Sequence, residues 1–211
     1  MEKFGINMKI LKNDSITSFQ NPQKKPSRLE AEEAVKTLLR WAGDNPSREG
    51  LIETPERFVK AFEEYFSGYD KDINSILNKT FSEVSDYNDI VLLKNIPFQS
   101  HCEHHIAPII GRSSIAYYPK GKVVGISKLA RVVDMFAKRL QTQETLTAQI
   151  GNAINTVLKP KGVAVYIYAE HFCMKCRGVH KENVSMITTH FSGNFEKNLS
   201  NQQRFLNLIE K

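Results

Sequence analysis

Residues 101–105 read HCEHH, so three imidazoles, one thiol and one carboxylate share five positions, and half of the chain's six histidines stand there. His, Cys and Glu are the side chains that bind transition metals or move protons near neutral pH. Cys102 and His105 have C-x-x-H spacing, and far downstream HFCMKC supplies His171, Cys173 and Cys176. Two metal readings compete with a plain one. Cys102, His105, Cys173 and Cys176 could close a four-ligand structural zinc site, or three of them could hold zinc while water or substrate takes the fourth position. In the plain reading the histidines are satisfied polar residues and the cysteines small core hydrophobes. This much ligand chemistry in two short segments argues against it. A structural clip needs no acid–base neighbours, yet Glu103, His104 and His171 lie beside these ligands. Cys173 and Cys176 also differ by an odd number, so on a continuing strand they point to opposite faces, unless a turn begins at Met174. The open, catalytic arrangement is favoured.

Two further groups suit a charged, ring-bearing substrate. At GISKLAR, Ser127 is positioned to open a helix whose first turn carries Lys128 and Arg131. Cations there oppose the helix dipole unless an anion joins them, so hydroxyl, backbone N–H groups and two cations make a polyphosphate cradle. Arg57 and Lys60, at i and i+3 on an earlier helix, and Arg177 could add to it. A solvated basic surface is the plain alternative for any one pair. Glu144, after Gln143, either balances a helix dipole or accepts two hydrogen bonds from the N1–H and 2-amino group of a guanine.

The elements that must position these groups are legible in part. Ser27 and Glu30 have capping-box spacing, and Leu29, Val35, Leu38, Leu39 and Ala42 recur at helical intervals up to Gly43. Thr54-Pro55 starts a second helix whose apolar face is Phe58, Val59, Phe62 and Phe66, ended by Gly68. Residues 72–79 allow one more short helix. From Ile90 the texture changes. IVLLKNIPF reads as a buried strand, and RSSIAYYPKGKVVGI as a hairpin turning at PKGK. SKLARVVDMFAKRL is an amphipathic helix with Ser127 as its N-cap. TQETLTAQIGNAINTVLK is a second helix, with Leu146, Ile150, Ile154 and Val157 in line. GVAVYIYAEHF and VSMITTHF are strands by alternation, and Ser200 with Gln203 caps a C-terminal helix. Two strands, two helices and two strands after a helical preface predict an α+β domain.

Composition bounds the rest. The 211 residues are 41% hydrophobic and 25% charged, the balance of a soluble globular protein with one sizeable core. No stretch reaches the apolar length a bilayer requires and residues 1–20 have no signal-peptide core, so the expected compartment is the cytoplasm, with no membrane partner. Three cysteines cannot all pair within one chain, which favours metal binding or free thiols. The net charge of +6 is concentrated in residues 1–28, where six Lys or Arg face only Glu2 and Asp14. The segment 1–27 is expected to be a disordered basic tail, 28–85 a helical region and 86–211 the catalytic domain. A nucleic-acid-binding arm is the minority reading of the tail. It gives no reason for Glu144 or His171, so no nucleic-acid partner is expected.

Taken together these segments resemble the GTP cyclohydrolase I family. TPERFVKAF, PFQSHCEHHIAPIIG, VVGISKLARVVDMFAKRLQTQETLTAQI and HFCMKCRGVHKENVSM stand in the family's order, and the likeness runs across about residues 28–200. The resemblance implies a T-fold, in which two antiparallel β-hairpins bracket two helices after a helical region. It implies Zn²⁺ on Cys102, His105 and Cys173, with water attacking C8 of GTP. His171 is then the acid that protonates N7, and His104 assists nearby. Glu144 and the Gln143 backbone read the purine, Ser127 contacts the ribose, and Lys128, Arg131, Arg177, Arg57 and Lys60 bind the triphosphate. Formate leaves, and an Amadori-type rearrangement closes the ring of 7,8-dihydroneopterin triphosphate. A homodecamer of two pentamers, with active sites at subunit boundaries, is implied as well. His101 and Cys176 depart from the family's commoner pattern and leave a fourth protein ligand open. Another T-fold enzyme acting on a pterin or purine-derived substrate is the rival within the fold.

Overall fold

Ser27 starts the first helix as its spacing to Glu30 predicts. In a computed structural model describing residues 25–82 and 87–210, α1 spans Arg28–Trp41. The Ser27 hydroxyl accepts the Glu30 N–H at 3.3 Å, and the Ser27 N–H donates to the Glu30 carboxylate at 2.7 Å. The expected tail lies, through residue 24, outside the described residues. α2 follows at Thr54–Tyr65 with Pro55 in its first turn. Its phenylalanines stack along one side, Phe58 on Phe62 at 5.1 Å and Phe62 on Phe66 at 4.5 Å between ring centres. Of the apolar stripe on α1 only Val35 is buried. Leu29, Leu38 and Trp41 remain 73%, 58% and 86% exposed. Among the described residues no helix covers that stripe.

A turn at Ser67–Asp70 fastens this region to the rest. Gly68 is required there, because a Cβ would lie 2.1 Å from the Met135 carbonyl oxygen. The buried Arg139 guanidinium donates twice to the Gly68 carbonyl, at 3.1 and 2.9 Å. α3 (Ile73–Leu77), capped by Asp72, sends Ile73 and Leu77 into the main core, and β1 (Thr80–Phe81) follows.

The centre is a five-stranded sheet of β2 (Val91–Cys102), β3 (Pro108–Tyr118), β5 (Leu140–Gln141), β6 (Gly162–His171) and β7 (Met186–Gly193). The order is β5-β2-β3-β6-β7, antiparallel except for the short β5–β2 contact. One expectation is overturned here. The PKGK segment does not turn a hairpin within 112–126: β3 ends at Tyr118, and β4 (Val123–Val124) pairs with β1 instead. The reason is that β2 and β6 already occupy both edges of β3, leaving no backbone groups free for β4. The hairpin of this region is β2–β3, and its turn is residues 103–107, which hold most of HCEHH.

α4 (Ile126–Ala137) and α5 (Gln143–Leu158) cover one face of the sheet. Leu129, Val132, Leu146, Ile150 and Ile154 there meet Ile115, Tyr117, Val163, Val165 and Ile167. α4 begins one residue before the expected serine: Lys128 N–H bonds the Gly125 carbonyl at 2.8 Å, so Gly125 precedes the helix and Ser127 lies inside its first turn. Thr142 caps α5 through the Thr145 N–H. The strand predicted to run to Phe172 ends at His171, where a short helix α6 (Phe172–Lys175) takes over. α7 (Asn194–Lys197) and α8 (Leu199–Glu210) cover part of the other face, with Phe195 and Phe205 on Ala116, Tyr118 and Ala164. Ser200 is not the cap of α8. Asn198 is, its side-chain oxygen accepting the Ser200 N–H at 2.9 Å. The α+β expectation holds: two antiparallel strand pairs, with two helices between them in sequence. Among the described residues no helix is long and apolar enough to cross a membrane.

Candidate active site

The β2–β3 turn is tight and specific. Cys102 N–H bonds the Ala107 carbonyl at 2.8 Å, and the Cys102 carbonyl accepts from His105 at 3.3 Å and Ile106 at 2.8 Å. Ile106 closes it at φ 53°, an uncommon conformation for a β-branched residue. The result gathers ligands. His104 Nδ1 and His105 Nδ1 stand 3.7 and 3.8 Å from Cys102 Sγ. Ile109 is paired with His171, so the chain leaving β6 crosses beside this turn and α6 delivers Cys173 to it. One ligand atom each from Cys102, His105 and Cys173 lies within 4.8 Å of the others.

Two thiols and an imidazole at that separation fit zinc, whose structural and catalytic sites draw on this donor set. Burial pushes the Cys173 thiol up, Cys102 beside it pushes the same way, and Arg177 opposes them. A bound cation is what such a pair of thiols requires to ionise together. Cys176 is exposed at the end of α6 and is not part of the group. Because the strand ends at His171, the odd spacing of the two cysteines has no bearing on that outcome.

His171 is held by a residue whose side chain was not singled out from sequence. Gln143 is fully buried, and its Oε1 lies 2.9 Å from His171 Nε2. The Gln143 amide nitrogen faces the carbonyls of Ile167 at 3.2 Å and Met186 at 3.0 Å, and the Thr188 hydroxyl at 3.1 Å. Gln143 was expected to act through its backbone. Its place on the α5 face shared with Leu146 and Ile150 was the available signal that the side chain points inward. Burial lowers the His171 pKa, while the nearby charge of Glu144, exposed on the first turn of α5, raises it. His104 is largely exposed, with its Nε2 3.7 Å from Glu103.

The remaining expected residues do not all meet at this turn. Arg177 is close enough to act on Cys173. α2 ends against the turn, Tyr65 and Phe66 packing on the His101 ring at 4.6 and 5.3 Å. Lys60 on that helix is exposed, and Arg57 pairs with Glu53. Ser127, Lys128 and Arg131 sit at the opposite end of the sheet. The start of α4 lies by Tyr117, whose hydroxyl accepts the Val124 N–H, and Tyr117 pairs with Val91. The end of α4 leads to Leu140, paired with His101. Twelve helical residues span ~18 Å, and that length separates the start of α4 from the metal end.

A scaffold that brings together three donors able to hold a metal, an anchored imidazole and a nearby carboxylate has the parts for metal-assisted acid–base chemistry. Comparison with known proteins gives the particular family. The family model described as GTP cyclohydrolase I matches residues 31–210. "GTP cyclohydrolase 1" of Maricaulis maris is 57% identical over 187 residues, covering 89% of this chain and 91% of that protein. The proteins of the same name from Allorhizobium ampelinum and Brucella abortus are each 52% identical, covering 93% and 97% of this chain and 98% and 99% of theirs. The chain belongs to the GTP cyclohydrolase I family. Among solved structures, the archaeosine synthase QueF-Like in its apo form is 21% identical with a TM-score of 0.42, over 50% of this chain and 94% of that one.

Proposed function

We propose that the chain opens the guanine imidazole ring of GTP at C8 and releases formate, with 7,8-dihydroneopterin triphosphate as product. The observation that carries this reading is the Cys102–His105–Cys173 group beside an anchored His171, in a chain of this family. Zinc held by those three residues supplies Lewis acidity that brings the ionisation of water near neutral pH. His171 gives a proton to N7 as water adds at C8, and His104, exposed at the same turn, exchanges protons with solvent. The Glu144 carboxylate accepts the N1–H and 2-amino hydrogens, which suits its exposed place next to His171. Cleavage of C8–N9 opens the ring to a formamide, a second water hydrolyses the C8–N7 bond to free formate, and rearrangement of the ribose followed by loss of one water closes the pterin.

Ser127, Lys128 and Arg131 hold ribose and triphosphate, but on a different copy of the chain from the one whose zinc is used. Their distance from the metal turn within one chain, and the uncovered apolar stripe on α1, both support an oligomer with sites at its subunit boundaries. We assign the assembly as a decamer of two pentamers, and the compartment as the cytoplasm. Arg177, beside Cys173, completes the anion site from the metal side, joined by Arg57 and Lys60 of α2.

Zinc-loaded protein mixed with GTP is expected to yield formate and a product that becomes fluorescent on oxidation. His171→Ala should leave zinc bound and remove nearly all product, a loss of roughly 100-fold or more. Arg131→Ala should lower GTP turnover severely. GTP surviving intact in the presence of bound zinc would overturn the assignment in favour of another substrate.

A further inference from the structure

The network behind His171 has only one consistent direction. The Gln143 amide nitrogen must face the Ile167 and Met186 carbonyls, since a flipped amide would set oxygen against two oxygens. That makes Gln143 Oε1 an acceptor, so His171 Nε2 must carry hydrogen to make the 2.9 Å contact. The hydroxyls close the circuit. Thr147 lies 2.7 Å from the Gln143 carbonyl and donates its hydrogen there, so Thr188, 2.6 Å away, donates to the Thr147 oxygen and accepts from the Gln143 amide. The two amide hydrogens are shared among three acceptors, and the two carbonyls among them keep the amide from flipping. Gln143 and Thr147 are 0% and 2% exposed, so their side of the network is shielded from water, while His171, Met186 and Thr188 are half-buried.

We infer that Gln143 is a positioning residue that holds His171 Nε2–H in both ring states, so that the neutral ring is the Nε2–H tautomer and the proton given to N7 is the one carried on Nδ1 when the ring is doubly protonated. This deepens the assignment of His171 as proton donor and rests on it. Three residues from three elements set the choice: Gln143 on α5, Ile167 on β6 and Met186 at the start of β7. Neither Gln143 nor Thr188 belongs to the metal group, so the effect is on ring orientation and tautomer rather than on metal retention.

The test is the ¹⁵N spectrum of histidine-labelled, zinc-loaded, substrate-free protein, at a pH where the ring is neutral, with His171→Ala used to assign the signals. The wild type is expected to show a protonated-type Nε2 and an unprotonated-type Nδ1 for residue 171. Gln143→Met keeps the side-chain volume and removes the acceptor. It should give mixed tautomers and a kcat lowered roughly 10- to 100-fold, with zinc content unchanged and KM for GTP little altered. Phe205→Ala, which loosens the opposite face of the sheet, is the control for lost stability and should keep kcat within about twofold below its melting temperature. An Nδ1–H tautomer in the wild type would overturn the inference, even should Gln143→Met fail to fold. So would a Gln143→Met protein with an unchanged spectrum, or a Phe205→Ala protein equally impaired in kcat. Full turnover by His171→Ala would instead remove the proton-donor assignment, a result the wild-type spectrum does not depend on.

Discussion

At the scale of single residues, the site divides its cysteines sharply. Cys102 and Cys173 share the metal group with His105, while Cys176 lies exposed beyond it. Cys173→Ala is expected to weaken zinc retention by more than roughly 100-fold, and Cys176→Ala to leave stoichiometry unchanged, both read by metal analysis after dialysis against a chelator. Zinc loss from Cys176→Ala would restore a four-ligand site. The histidines carry a pH prediction. Burial lowers the pKa of His190, whose ring fills the space over Gly151, and Glu196 only partly opposes this. A histidine with a folded pKa below its unfolded value is uncharged in the fold, so its full contribution is present above about pH 6.5. That contribution is lost as pH falls toward the folded value. The melting temperature should therefore drop on acidification from pH 7.5 to 5.5, and less steeply in His190→Asn. Equal slopes would contradict the role of His190. Residue type and short spacing made Cys102, His105, Cys173 and Cys176 legible as candidate ligands, and the family resemblance narrowed them to the three that the structure brings together. The side chain of Gln143 was not, because its partners lie 24 to 45 positions away.

At the scale of elements, local signals named most segments and misplaced several joints. The capping box at Ser27–Glu30 is a property of four consecutive residues, and it is present in the structure. The PKGK hairpin failed because strand pairing depends on which edges are open, and β3 had none to offer. The same competition moved the turn to residues 103–107, so the segment read as ligand chemistry is also the hinge of the β2–β3 pair. Ser127 and Ser200 were each read as caps from composition alone, whereas Gly125 and Asn198 begin those helices. The second core cluster was not anticipated, since it depends on α8 returning across the sheet. Phe205 is its fully buried anchor from α8, packed on Phe195 and Phe191. Phe205→Ala should cost about 3–5 kcal/mol in urea unfolding. A loss under 1 kcal/mol would mean that α8 is not held against the sheet as described.

At the scale of the whole molecule, one chain does not bring all the expected site residues together. The candidate metal group, His171 and Glu144 gather at one end of the sheet, and Ser127, Lys128 and Arg131 lie at the other. A cleft lined by Ser200, Gln203, Arg204, Asn207 and Leu208 on α8 holds none of them. Apolar side chains remain uncovered on α1 and on the open part of the sheet, where Ile110, Tyr168 and Ile187 are 42%, 41% and 56% exposed. Both features suit the proposed assembly, in which neighbouring copies of the chain would bury the apolar surface and supply the cations. Sequence alone pointed to this assembly only through family resemblance, because no residue pattern states which end of a helix a distant ligand will occupy. The most direct test mixes two inactive variants, His171→Ala and Arg131→Ala, unfolds and reassembles them together, and measures GTP turnover. If different copies supply the two residues, random mixing rebuilds about a quarter of the sites with both intact, and activity returns to about that fraction of wild type. A mixture as inactive as its separate components would contradict the account, since it would mean that one chain supplies both His171 and Arg131 to each site.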